Sequence, residues 1–328
     1  MERKMIEGVG IESPRIGLGT WSMGGFMWGG SDDGDAIKTI RTALDHGVTL
    51  VDTAPAYGFG KSEELVGRAI AEHGGRGRVL IATKAGLAWR DGAVYRDASA
   101  ERIETEVEDS LRRLRTSYID IYQVHWPDLT VPVEETAAAL GGLFERRTIR
   151  AIGVSNFSPA QMERFRAVAP LHVVQSPYNL FERAIEDDVL PYARAHGLTV
   201  LAYGALCRGL LSGRMRPDTT FAGDDLRRTD PKFQPPRYRH YLDAVAALDR
   251  LARERYDKDV LALAVRWILD QGPTIALWGA RRPDQIAPIN DVFGWSLDAE
   301  TRAAIDRILA DCITDPVGPE FMAPPARA

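Results

Sequence analysis

The sequence predicts a (β/α)8 barrel, the TIM-barrel architecture, with a short N-terminal β-hairpin and long βα loops. Eight short runs rich in apolar and β-branched residues recur along the chain. They are continuous rather than alternating, as strands covered on both faces are. A helical pattern follows each run, and such βα alternation implies parallel strands joined by right-handed crossovers. Eight is also the number that closes the sheet on itself. A doubly wound open sheet is the competing architecture, but its dinucleotide fingerprint is missing, since "GLGTWS" carries Ser22 where the third glycine belongs.

The strands are expected at "RIGLG" (15–19), "VTLVD" (48–52), "VLIAT" (79–83), "IDIYQVH" (119–125), "RAIGV" (150–154), "HVVQ" (172–175), "TVLAY" (199–203) and "TIALW" (274–278). The helix after the first, "DDGDAIKTIRTALDHG", has acids in its first turn and ends His-Gly, as does "KSEELVGRAIAEHG" after the second. "SAERIETEVEDSLRRLR" starts on a serine cap at Ser99. "PVEETAAALGGLFERR" follows, then "SPAQMERFRAV", where Pro159 sits just inside a serine cap. "EDDVLPYARAHG", "RYRHYLDAVAALDRLARERY" and "DVLALAVRWILDQG" come next. After the eighth strand, "RPDQIAPIN" and "LDAETRAAIDRILADC" read as the closing helices.

A chain of 328 residues suits one barrel domain spanning 1–328. Its net charge of −5 argues against nucleic acid as a partner. No apolar run is long enough for a membrane span, and "MERKMIEGVG" has no apolar signal core. Two cysteines make no disulfide framework. These features lead us to expect a cytoplasmic protein, with a homo-oligomer left open.

In a barrel, chemistry sits where strands end. Asp52 ends the second strand and Tyr57 lies in its loop; Lys84 follows the third strand and His125 ends the fourth. Alone, such an aspartate is most often a turn former, such a lysine a surface charge, and such a histidine a structural residue. Closing the barrel brings the four together. A tyrosine holds its proton at neutral pH and can give it to an oxygen becoming an alkoxide. A lysine beside it favours the phenolate, an aspartate aims the ammonium, and His125 can donate to the same oxygen. The set fits carbonyl reduction with Tyr57 as general acid. It lacks a nucleophile–base pair, and the six histidines form no ligand pair, so no metal site is expected.

Reduction needs a hydride, so a cofactor is implied. Ser155, Asn156 and Gln175 offer groups for a carboxamide, and Tyr203 a face for the nicotinamide ring. "GARRPDQ" (279–285) supplies a glycine, two arginines and a proline-started helix, a cradle for a 2′-phosphate, which favours NADPH.

The chain here resembles the aldo-keto reductase family over nearly its whole length. The matching stretches are "GLGTW", "VDTAPAYGFGKSEELVGRAI", "IATKAG", "DIYQVHWPD", "IRAIGVSNF", "QSPYNLFER", "LAYGALCRGLLSG" and "WGARRPDQ". The resemblance implies a catalytic tetrad of Asp52, Tyr57, Lys84 and His125, with Ser155, Asn156 and Gln175 on the carboxamide and Tyr203 stacked on the ring. It implies an adenosine-phosphate loop at Gly279, Arg281 and Gln285. It further implies cofactor contacts from Gly19, Thr20, Trp21 and Asp52, and from Gly204, Leu206 and Arg208. Relatives place an asparagine soon after this loop; here "QIAPIND" carries Pro288 and a displaced Asn290, and Trp278 replaces the usual proline. "GALCRGLLSG" and "WGAR" look most like the bacterial branch handling glycerol, glyceraldehyde and oxidised sugars.

For the small carbonyl substrate, a sugar or polyol aldehyde, the expected pocket groups are Trp21, Trp28, Tyr57, Trp89, His125 and Trp126. The long polar connection 212–237 is expected near the cofactor phosphates and partly disordered without cofactor. The tail 311–328 either covers the pocket mouth or frays. Two other readings stay open at this point: a polyol dehydrogenase running in the oxidative direction, and a cofactor-binding regulatory subunit like the potassium-channel β-subunits that share the fold; a metal-dependent sugar isomerase would need a carboxylate-rich rim, which this chain lacks.

Overall fold

The computed structural model describes residues 1–327. The chain opens with an antiparallel hairpin of β1 (Arg3–Ile6) and β2 (Ile11–Pro14). Eight parallel strands then close a barrel. They are β3 (Ile16–Gly19), β4 (Leu50–Asp52), β5 (Leu80–Ala85), β8 (Ile121–Val124), β9 (Ile152–Ser155), β10 (Val173–Pro177), β11 (Thr199–Tyr203) and β12 (Thr274–Gly279). Between β5 and β8 a second hairpin stands apart, β6 (Leu87–Arg90) with β7 (Ala93–Arg96). Each barrel strand lies within two residues of its expected limits.

The helices are α1 (Asp33–Asp45), α2 (Lys61–His73), α3 (Ala100–Leu114), α4 (Val133–Glu145), α5 (Pro159–Arg166), α6 (Val189–Ala195), α7 (Arg237–Tyr256), α8 (Val260–Leu269) and α9 (Ala299–Cys312). The expected caps form. Ser99 accepts from the Arg102 N–H, and Ser158 with Gln161 makes a reciprocal capping box ahead of Pro159. The helix expected at "RPDQIAPIN" is replaced by two short 3-10 turns, Pro283–Gln285 and Ala287–Val292. Pro288 has no N–H to continue an α-helical ladder, and the tighter turns accommodate it.

The core has two parts. Strands and helices bury a continuous apolar shell between them, while residues pointing down the barrel axis form a second cluster. That inner floor is Leu50, Ala82, Ile121, Val173, Leu201 and Ile275, and Ile6 and Ile11 of the first hairpin join it. The hairpin thus plugs the N-terminal end of the barrel. Two residues further along β4, β5, β8 and β10 the inward positions turn polar: Asp52, Lys84, Gln123 and Gln175 are all buried. The period-two alternation of strands stacks this polar layer directly on the apolar floor.

Candidate active site

The polar layer leads to the C-terminal rim, where the four candidate groups meet. Asp52 closes β4 and is 3% exposed; Lys84 in β5 is wholly buried. The Lys84 ammonium donates to Asp52 Oδ2 at 2.8 Å, to the Thr53 carbonyl at 2.9 Å and to Tyr57 Oη at 3.2 Å. His125 follows β8, and its ring meets the Tyr57 ring edge-on with centroids 5.6 Å apart. Trp21 stacks on the other side of Tyr57 at 6.0 Å.

Loop packing places Tyr57. The chain after β3 lies directly on the Tyr57 loop, and a Cβ at Gly24 would fall 2.5 Å from the Tyr57 carbonyl. Gly58, at φ +68°, faces it just as closely, so two glycines permit one backbone to cross the other.

Burial governs the electrostatics. It pushes the Tyr57 phenol well above its ordinary pKa, and the Asp52 charge adds to the rise. The sequence suggests that Lys84 lowers this pKa; the direction is instead upward, from burial and then the Asp52 charge, and the phenol keeps its proton. Burial lowers the Lys84 pKa, with Asp52 opposing the change. His125 is driven well below the usual histidine range by burial and then by the Lys84 charge, so its imidazole is neutral at physiological pH.

Two adjoining cavities open from these groups. One, of about 390 Å³, is lined by Tyr57, His125, Trp126, Asn156, Gln175 and Tyr203, and closed above by Phe321, Met322 and Pro324 of the tail. The tail lies along this cavity, tied by the Arg96 N–H to the Pro325 carbonyl and by Arg96 Nε to that of Pro324. The other is a groove running from Tyr57 past Gly19, Trp21, Tyr203, Gly204 and Leu206 to Gly279, Arg281 and Gln285. Ser212, Arg214, Thr219 and Arg227 bring the 212–237 connection to its edge. Asp224 of that connection accepts from the Met27 and Gly29 N–H groups, clasping it to the loop after β3.

Several expected contacts land elsewhere. Trp28 lines the groove, not the substrate cavity, with Arg227 over its ring at 5.2 Å. Trp89 lines neither cavity; it packs on Phe59 at 5.7 Å and under Arg102. Thr20 is fully buried, bonding the Asp52 carbonyl and Ser62, which ties β3 to β4 and α2 rather than offering a ligand contact. Arg208 touches the groove but is held by Glu182 at 2.7 Å and Asp230 at 2.5 Å. Gln285 caps its own loop, its Oε1 accepting from the Arg281 and Arg282 N–H groups. The 3-10 turn there is three residues long, so the anion-binding helix end expected from the sequence does not form.

Sequence reading missed the β6–β7 hairpin, whose Leu87, Gly92 and Val94 wall the substrate cavity. The available signal was Asp91-Gly92, both at positive φ, a pair favoured in two-residue hairpin turns. It also passed over Gln123, which lies buried beside Asp52 and Gln175. Among the described residues no cluster of three or more His, Cys, Asp or Glu is placed to hold a metal ion, and no helix is long and apolar enough to cross a membrane.

Comparison with known proteins agrees with this geometry. The aldo/keto reductase family model matches residues 15–310. The aldo-keto reductase YhdN of Bacillus subtilis is 60% identical over 328 residues, covering 100% of this chain and 99% of that protein. The NADH-specific methylglyoxal reductase of Escherichia coli is 36% identical over 84% of this chain and 88% of its own length. Among solved structures, the glycerol dehydrogenase AKR11B4 from Gluconobacter oxydans superposes with a TM-score of 0.89 at 55% identity, covering 98% of this chain and 99% of that one. With a closed eight-stranded barrel and an acid, a phenol, an amine and an imidazole at its rim, the chain belongs to the aldo/keto reductase family, whose members are oxidoreductases acting on carbonyl compounds.

Proposed function

We propose that this protein is an NADPH-dependent reductase of small polar aldehydes, with Tyr57 as the proton donor. One observation carries the reading: Tyr57 Oη lies 3.2 Å from Lys84 Nζ at the junction of a long groove and a small cavity. The groove suits a dinucleotide. Gly279 lines it, and a Cβ there would meet no protein atom within 4 Å, so the missing side chain leaves space for a ligand. Tyr203 offers a ring face at the junction, and its hydroxyl is held by Asn156 Oδ1 at 3.0 Å. Ser155 and Gln175 supply polar groups to a carboxamide.

A bound reduced nicotinamide supplies the hydride. This chain supplies the rest. His125, neutral, donates a hydrogen bond to the carbonyl oxygen and orients it. Tyr57 transfers its proton to that oxygen as negative charge builds there. Lys84 stabilises the phenolate that remains, and Asp52 keeps the ammonium charged and aimed. Trp21, Trp126 and the tail keep bulk water from the junction. The same groups run the oxidation of an alcohol in reverse, with the phenolate as base; the relative named as a glycerol dehydrogenase fits that direction.

NADPH is favoured by Arg281. It is the groove arginine without an ion pair among the described residues: Arg227 is paired with Asp225, Arg282 and Arg214 with Asp284, and Arg208 with Glu182. Arg281 binds only the Trp28 and Gly30 carbonyls, and burial lowers its pKa, so its charge is under-compensated. A phosphate dianion would complete it. Arg281→Ala should weaken NADPH at least tenfold while changing NADH little, a charge-assisted contact being worth roughly 1.5–3 kcal/mol. Equal losses for the two cofactors would assign the preference elsewhere, as would stronger binding of NADH by the unaltered protein.

A further inference from the structure

We propose that Gln123 is a positioning residue, which braces Gln175 and Asp52 together so that the cofactor's carboxamide and the proton-donating tyrosine are held by one hydrogen-bonded unit. This rests on the reading of the site as a nicotinamide-dependent carbonyl reductase. Gln123 lies on β8 two residues before His125, is fully buried and lines neither cavity, so it touches neither substrate nor cofactor. Its register partners are Lys84 on one side and Gly153 on the other.

The unit is a closed ring of bonds. Gln175 Nε2 donates to Asp52 Oδ1 at 2.8 Å and to Gln123 Oε1 at 3.3 Å. Gln123 Nε2 returns to the same Asp52 Oδ1 at 3.5 Å. The other carboxylate oxygen takes the Lys84 ammonium. A carboxylate only accepts, so the amide nitrogens of both glutamines must face Asp52. With both of its N–H groups engaged, Gln175 keeps its own Oε1 free of protein partners among the described residues, and Gln175 lines the substrate cavity. That oxygen is the acceptor a carboxamide N–H requires. Gln123 fills the second N–H and so fixes the plane of the Gln175 amide.

A second observation shows that the chain makes room for this brace. Gly153 of β9 faces Gln123 on β8, and a Cβ there would fall 2.7 Å from Gln123 Cγ. Any larger residue would push the amide out of the ring. Gln123 therefore couples two tasks: the nicotinamide is seated on Gln175, and the charge of Asp52 is shared between that seat and Lys84.

The titratable groups that face Gln123 are Asp52 on β4, through the hydrogen bond, and Lys84 on β5, its register partner. Two substitutions separate bracing from packing. Gln123→Leu fills the space but neither donates nor accepts. Gln123→Glu, while its new carboxyl is protonated, can still donate to Asp52 and accept from Gln175; once ionised it can still accept from Gln175 but no longer donates to Asp52 and repels its charge. Burial and the Asp52 charge raise the pKa of the introduced carboxyl, so the variant should behave like the parent at low pH and fail as pH rises.

NADPH affinity is read by protein fluorescence, and kcat for glyceraldehyde is measured beside it, from about pH 5 to about pH 9. Gln123→Leu should weaken NADPH about tenfold and lower kcat about tenfold at every pH. Gln123→Glu should match the parent at the acid end and Gln123→Leu at the alkaline end. Wild-type NADPH affinity and kcat in Gln123→Leu would overturn the proposal. So would a Gln123→Glu profile parallel to the parent's, and that variant alone decides if Gln123→Leu does not fold. Were the parent to reduce no aldehyde, the functional reading would fall, while the fluorescence titrations would still decide the brace.

Discussion

Burial keeps Tyr57 protonated and His125 neutral, so neither group titrates near neutrality. The sign for His125 is specific. Its folded pKa lies below the ordinary value of about 6.5, so the charged form is the disfavoured one and the neutral donor persists as pH falls through that value. The aldehyde-reduction rate should therefore stay flat from about pH 8 down to about pH 6, measured as kcat/KM over that range. A step of tenfold near pH 6.5 would show that His125 ionises there. The four rim residues were legible in the sequence because Asp52, Lys84 and His125 lie at or beside strand ends and Tyr57 in the loop that follows one, and a strand's end fixes where its side chain goes. Thr20 and Trp89 were misread because their directions depend on the path of a loop. Gln123 was invisible for another reason: its partners come from β4 and β10, and only the closed register brings them within reach.

The elements above the barrel divide the site. The β6–β7 hairpin walls the substrate cavity, and the C-terminal tail roofs it. Arg96 joins them: its guanidinium bonds the Pro324 and Pro127 carbonyls and lies 5.2 Å from the Trp126 ring centroid. Arg96→Ala should release the roof from the wall, raising KM for small aldehydes several-fold and leaving NADPH affinity unchanged. Steady-state kinetics with a fluorescence titration check this; a change in NADPH affinity alone would mean that the tail serves the groove instead. The barrel strands were readable from their apolar runs, and most helices from caps such as Ser99 and Ser158. The second hairpin was not, because "LAWRDGAVYR" mixes polar and apolar residues in a segment that the barrel does not cover. The stretch Ala287–Val292 carries a helix-like pattern in sequence, but Pro288 lacks the N–H an α-helical ladder needs and a 3-10 turn forms instead.

Across the molecule, the floor and the rim carry separate duties. The first hairpin seals one end of the barrel with Ile6 and Ile11, and chemistry gathers at the other. The 212–237 connection crosses to the loop after β3 through Asp224 and the Leu226 N–H on the Met27 carbonyl. A ligand that binds only the folded, clasped form stabilises it by about 2.7 kcal/mol at one hundred times its dissociation constant. NADPH should accordingly slow proteolysis within 212–237 and raise the melting temperature more than NADH does. Identical cleavage rates with and without NADPH would place the cofactor away from this connection.

The proton donor is the point on which the whole mechanism turns, and it can be measured alone. Tyr57→Phe keeps the ring against Trp21 and His125 and removes only the hydroxyl beside Lys84. Glyceraldehyde reduction by this variant should fall roughly 10²–10⁴-fold in kcat while its NADPH dissociation constant stays within about twofold of the parent's. Undiminished turnover with intact NADPH binding would contradict the assignment of Tyr57 as the acid.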